Sequence, residues 1–353
     1  MPERLVDRVP KLTAADLASR FVPPPRFAEV RFSTYVPNAE HPSQAAARAD
    51  LERFVASLGG GTSDASGDAG ARRGGWFRRA GAGASRRPQR GPGRYLDGGF
   101  GVGKTHLLAS AWHEAPAPRS FLTFEELTAF IGFVGMDAAV ASFRGNTLLC
   151  IDEFELDDIA NTRMAVSFLR GVVDGGTRVV ATSNAVPDRL GEGRFNAEEF
   201  ARELASIASH FEVVRIDGPD YRAAAHPPDL PLLEPGELEA FARGASAVTV
   251  DPLDDVVGHL RSLHPVHYGA LLDGLDAIVV TGLAPIERQD EALLLVQLVD
   301  EIYDAGIGFA ATGCAVGDLF PPSYRRGTYR KKYGRCESRL VAMLGEARGR
   351  VAG

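Results

Sequence analysis

The stretch Gly98-Gly99-Phe100-Gly101-Val102-Gly103-Lys104-Thr105 decides the reading of this chain. It matches G-x-x-x-x-G-K-[ST] at every fixed position. Glycines here let the backbone curl with its N–H groups pointing inward, and the loop feeds the positive end of a following helix. Both features suit a chain of phosphates. The pattern assigns Lys104 to the outer phosphates and the Thr105 hydroxyl to a magnesium ion. The flanks agree, since residues 94–96 read as a short strand and 104–112 as a helix.

Downstream the pattern alternates. Residues 120–122, 147–151, 178–181 and 212–216 read as short apolar strands, and 125–133, 136–143 and 160–171 as helices, the last closed by Gly171. Apolar strands between helices predict a parallel sheet covered on both faces, the α/β layout of a P-loop NTPase.

Leu148-Leu149-Cys150-Ile151-Asp152-Glu153 lies within this series, with Asp152 48 residues after Lys104. Two acids leave the carboxyl end of a buried strand, the edge where ligands bind in open α/β sheets. Asp152 is placed to hold magnesium, and Glu153 to polarise the water that attacks a terminal phosphate. A third strand, Val179-Val180-Ala181-Thr182-Ser183-Asn184, ends in an amide 32 residues after Asp152. Asn184 is expected near Glu153, where it can sense the γ-phosphate, although Asn also favours turns.

Phosphoryl transfer spreads charge over the γ-oxygens, and an arginine from a neighbouring subunit is worth roughly 10³–10⁵ in rate. Arg194, in a glycine-flanked stretch, is the candidate, with Arg202 next on a helix over 197–209. Arg335 and Arg339 share a helix face at i, i+4 on a basic helix over 329–347. Either is placed to act as a nucleotide sensor in cis, or both belong to a solvated basic face with Arg325, Arg326, Lys331 and Lys332. His264 and His267 lack a third ligand and read as structural. The stripe at 293–299 reads as core.

The chain divides into an N-terminal segment (1–58) packing on the core, an insertion (59–93), a P-loop core (94–220) and a C-terminal α/β and helical region (221–353). Residues 26–35 read as extended and 42–58 as a helix. The insertion holds 11 Gly and seven Arg in 35 positions and reads as a flexible linker, with contact to a membrane surface or an anionic partner as the alternative. In the last region, 276–281 and 307–311 read as strands around a helix over 291–303.

Of 353 residues, 45% are hydrophobic and 24% charged, which excludes whole-chain disorder. The formal charge of −7 argues against a protein that coats nucleic acid. Three separated cysteines without C-x-x-C fit neither a disulfide framework nor a zinc site. The first ten residues carry no apolar run, and the apolar stretch at 292–299 is too short to span a bilayer. A cytoplasmic protein without a transmembrane segment is expected.

Several stretches together resemble the ZapE-type family of AAA+ ATPases, known from bacterial cell division and with mitochondrial relatives. They are GGFGVGKTHL (98–107), LCIDEFELDDIA (149–160), VATSNAVPDRL (180–190), FEVVRIDGPDYR (211–222), LVDEIYDAG (298–306) and CESRLVAML (336–344). Asp158-Ile159-Ala160 and Asp220-Tyr221-Arg222 narrow the choice, because the phosphate-loop and acidic motifs are shared by many ATPases. The resemblance implies ATP and Mg²⁺ as cofactors, Gly98 to Thr105 as the ATP site, and Asp152 and Glu153 as the metal and hydrolysis pair. It also implies a homo-oligomer, as a ring or transiently, and a protein partner, with the division machinery as the candidate and recruitment to the division site. The insertion and residues 223–275 depart from the family pattern. A second reading is a nucleic-acid-associated ATPase of the helicase-loader type. Those proteins share the GKTHL loop and the IDE and TSN strands but stop soon after the core, so nucleic acid is not the expected partner.

Overall fold

The computed structural model describes residues 3–59, 93–99, 101–154, 156, 159–183, 205–219, 232–327 and 329–352. Each strand of the first sheet places alternate side chains on opposite faces, and both faces are covered. Leu148 and Cys150 of β3 (Leu148–Asp152) face one way, and Leu149 and Ile151 the other, all fully buried. The same alternation holds for β1 (Gly93–Gly98), where Tyr95 and Leu96 part, and for β4 (Arg178–Ser183), where Val180 opposes Val179 and Ala181. With β2 (Arg119–Thr123) and β5 (Phe211–Ile216) they form five strands in the order β2-β3-β4-β1-β5. Every pairing is parallel.

One face is covered by α2 (Pro42–Gly59) and α3 (Lys104–Glu114). The other is covered by α4 (Phe124–Val134), α5 (Met136–Phe143) and α6 (Ile159–Asp174), with Leu17 of α1 (Ala14–Ser19) and Phe21. This is the expected parallel α/β sheet covered by helices on both faces, with the glycine-rich loop at the carboxyl end of β1.

Two local expectations differ. Residues 26–35 form 3₁₀ turns at Pro25–Phe27 and Phe32–Thr34, not a strand. Helix α6 does not stop at Gly171 but runs on to Asp174. A Cβ at Gly171 would lie 2.8 Å from Val140 Cγ1, so this glycine lets α6 approach α5 closely and is not a terminator.

The second sheet has three parallel strands in the order β6-β7-β8, from β6 (Val248–Pro252), β7 (Ala277–Leu283) and β8 (Gly308–Gly313). Around it lie α7 (Pro235–Arg243), α8 (Leu253–Ser262), the short α9 (Tyr268–Leu271), α10 (Gln289–Ala305) and α11 (Arg330–Ala352). Leu295, Val296, Leu298 and Val299 of α10 are core, as the stripe indicated.

The N-terminal segment reaches both sheets. Leu5 is buried in the second core and its N–H donates to Asp251 at 2.7 Å. Further along, Phe32 and Tyr35 enter the first core. Among the described residues no helix is long and apolar enough to cross a membrane.

Candidate functional site

The loop between β1 and α3 is built around left-handed glycines. Gly101 has φ +67° and Gly103 φ +87°. Gly103 is also the N-cap of α3, and no side chain caps that helix. No side chain competes for the first turn of α3, at the positive end of the helix. Lys104 opens the helix, and its Nζ donates to the carbonyls of Gly98 (2.8 Å) and Gly99 (2.6 Å). The ammonium thus lies across the mouth of its own loop. The buried Tyr35 braces the loop from outside, its hydroxyl donating to Val102 O at 3.0 Å. These donors and this cation fit a polyphosphate.

Asp152 lies on the same carboxyl-terminal sheet edge, two strands from β1. It is buried. The Thr182 hydroxyl donates to Asp152 Oδ1, and the Glu153 N–H approaches both Asp152 Oδ1 (3.1 Å) and Thr182 Oγ1 (3.0 Å). Among the described residues Oδ2 of Asp152 accepts no hydrogen bond. A hard cation prefers such a free carboxylate oxygen, so Asp152 with the Thr105 hydroxyl fits magnesium. Lys104 would meet the outer phosphates, and the ion would bring charge neutralisation to them.

Glu153 stands on strained backbone, with φ +52°. Its carboxylate points to the last helix, where Arg335 Nη1 donates to Oε2, and Arg339 Nη2 lies 3.7 Å from Oε1. Both arginines are in turn held by α10. Arg335 meets Asp300 at 2.6 Å, and Arg339 meets Asp300 at 2.7 Å and Asp304 at 3.3 Å. Burial pushes the Glu153 carboxyl up to about 7, against the opposing pull of Arg335 and then Arg339.

A cavity of about 420 Å³ opens between the two sheets, with Glu125, Glu126, Glu153, Asp300, Glu301 and Asp304 in its wall. Glu153 lines it, whereas among the described residues no member of the phosphate loop does.

The structure therefore brings Lys104, Thr105 and the loop glycines to one sheet edge with Asp152 and Glu153. Phe100, Asn184, Arg194 and Arg202 lie outside the described residues. His264 and His267 pack against Phe133, and no metal-binding cluster occurs among the described residues. Sequence reasoning missed Thr182, Asp300 and Asp304. The i, i+4 acids of α10 facing the i, i+4 arginines of α11 were the available signal.

A model of the AFG1-like ATPase family matches residues 23–248 and 241–348. Cell division protein ZapE of Escherichia coli strain K12 is 33% identical over 142 residues, covering 37% of this chain and 38% of that protein. The uncharacterized protein C115.02c of Schizosaccharomyces pombe is 26% identical over 148 residues, covering 37% of this chain and 33% of that one. These matches thus span well under half the length of either relative. The crystal structure of DnaI is 19% identical with a TM-score of 0.41, covering 58% of this chain and 98% of that one. Matched along most of its length, the chain belongs to the AFG1-like ATPase family.

Proposed function

We propose that this protein hydrolyses ATP to ADP and phosphate with Mg²⁺ and uses the turnover to remodel a protein partner. The observation that carries the reading is the uncapped start of α3 behind a left-handed glycine loop, with a buried carboxylate on the same sheet edge. Lys104 neutralises charge on the outer phosphates, and the α3 N–H groups bind the others. Thr105 and Asp152 hold the metal, which supplies Lewis-acid polarisation of the phosphates. Glu153 orients the attacking water and takes up its proton. Asn184 senses the γ-phosphate, and Arg194 completes the site of a neighbouring subunit in a homo-oligomer, a ring or a transient assembly.

The name of the bacterial relative supports a partner in the cell-division machinery. The test is phosphate release by purified protein with Mg²⁺, measured against protein concentration. Specific activity that rises with concentration supports sites shared between subunits. Flat specific activity down to a demonstrated monomer removes Arg194 from the reaction. Salt-dependent binding of single-stranded DNA would instead favour the helicase-loader reading.

A further inference from the structure

We propose that the C-terminal helix α11 clamps Glu153 in a resting position through Arg335 and Arg339, and that hydrolysis requires this clamp to open. The inference rests on Glu153 being the residue that activates water.

Direction comes first. Glu153 follows β3, and the phosphate loop follows β1, beyond β4. The partners of Arg335 lie on the other side. They are Asp300 of α10 and, at 3.9 Å, Glu125, which follows the edge strand β2. The ion pair thus turns the Glu153 carboxylate toward β2 and away from β1. The cavity agrees, since Glu153 is in its wall and the described part of the phosphate loop is not.

Occupancy comes second. Oε2 accepts from Arg335 and Oε1 faces Arg339, so both oxygens that a water would need are turned to guanidinium groups. A water reaching either oxygen must first displace a guanidinium.

Reversibility comes third. When Glu153 leaves, Arg335 keeps Asp300 and Arg339 keeps Asp300 and Asp304, so no buried cation is stranded. In the clamped state Nε of both arginines is buried without an acceptor, so neither guanidinium is fully satisfied. Glu153 itself sits at a left-handed φ, a strained conformation for a residue with a side chain. The clamp is also tied to the N-terminal segment. Two guanidinium groups lie over the Tyr303 ring of α10, that of Arg339 at 4.9 Å from its centroid and that of Arg26 at 3.7 Å. A partner that shifts the second sheet or the N-terminal segment would therefore move the arginines.

The test is steady-state ATP turnover of the full chain. Arg335→Gln should raise kcat roughly three- to tenfold while KM for ATP stays within about twofold. Arg335→Lys, which keeps the charge, should fall between this variant and the wild type. Arg335→Gln with Asp300→Asn removes a cation and an anion together, keeps the charge balance, and should show the same acceleration if the single variant folds poorly. Glu153→Gln should be inactive with or without Arg335→Gln. If Glu153→Gln turns over like the wild type, the reading of Glu153 fails. If it is inactive but the Arg335 variants are no faster than wild type, the clamp is overturned while the ATPase reading stands. In the unmodified protein, a non-hydrolysable ATP analogue with Mg²⁺ should speed hydrogen exchange in residues 330–340. Unchanged or slower exchange there contradicts the clamp.

Discussion

The hydroxyl of Thr182 ties together Asp152, the last residue of β3, and Glu153, which follows it. It donates to Asp152 Oδ1 and lies 3.0 Å from the Glu153 N–H, so one side chain fixes the candidate metal ligand and the backbone of its neighbour. Thr182 is buried and belongs to the adjacent strand β4. Thr182→Val keeps the shape and removes both bonds. It should lower Mg²⁺-dependent turnover about 10–100-fold, in the range for supporting residues behind a metal ligand. Thr182→Ser should retain most activity. Full activity in the Val variant would show that Asp152 is positioned without it.

Gly103 permits no side chain. A Cβ would lie 2.6 Å from Tyr35 Cε2, and φ is +87°. Tyr35 cannot swing away, because its ring is buried and its hydroxyl is bonded to Val102. Gly103→Ala should cost about 1–2 kcal/mol from the backbone alone and weaken nucleotide binding. Tyr35→Leu added to it should relieve the clash but not the backbone cost. Thermal melts and titration with a fluorescent ATP analogue check both statements.

The acidic wall of the cavity predicts a pH effect. Burial pushes the Glu126 carboxyl up to about 7, with Asp304 and Asp152 adding to the rise and its bonds to Thr123 opposing it. Burial also raises Glu301 and Asp304. A carboxyl raised in the folded state keeps a proton that the unfolded chain has released. This stabilising contribution is complete below the ordinary value of 4.5 and is lost as pH rises through about 7. Glu126→Gln leaves an amide oxygen to accept from the Thr123 N–H and removes the charge. It should melt a few degrees above the wild type at pH 8, with the difference closing toward pH 5. A constant difference across that range would contradict this origin.

The N-terminal segment is predicted to stabilise the second sheet. Leu5 is 1% exposed and sits in that core, beside the buried Asp251 that accepts from its N–H and from Arg4 Nε at 3.0 Å. Leu5→Ala should cost about 2–5 kcal/mol in urea unfolding. A loss under about 0.5 kcal/mol, the level of a surface substitution, would mean the segment is not anchored there.

What the sequence made legible follows from range. The phosphate loop and strands β3 and β4 are encoded within a few residues each, by glycines, apolar runs and the polar groups that end them. Strand β6 was not read, because Val248-Thr249-Val250-Asp251-Pro252 is short, polar in part and at a sheet edge. The segment at 26–35 looked extended by composition, yet Pro25 begins one 3₁₀ turn and the burial of Phe32 accompanies another. The pairing of Arg335 with Glu153 joins residues 182 positions apart, a separation no local pattern spans. The matched i, i+4 spacing of Asp300 and Asp304 with Arg335 and Arg339 pointed only to the pairing of α10 with α11, and that spacing also suits two solvated helix faces.

The most direct test of the central claim is phosphate release by the wild type, Lys104→Ala and Glu153→Gln, assayed side by side with Mg²⁺ and with EDTA, together with ATP binding. The wild type should turn over only with Mg²⁺. Lys104→Ala should neither bind nor hydrolyse, and Glu153→Gln should bind ATP with near-normal affinity and hardly hydrolyse it. Equal turnover in all three proteins, or turnover indifferent to EDTA, would contradict the account.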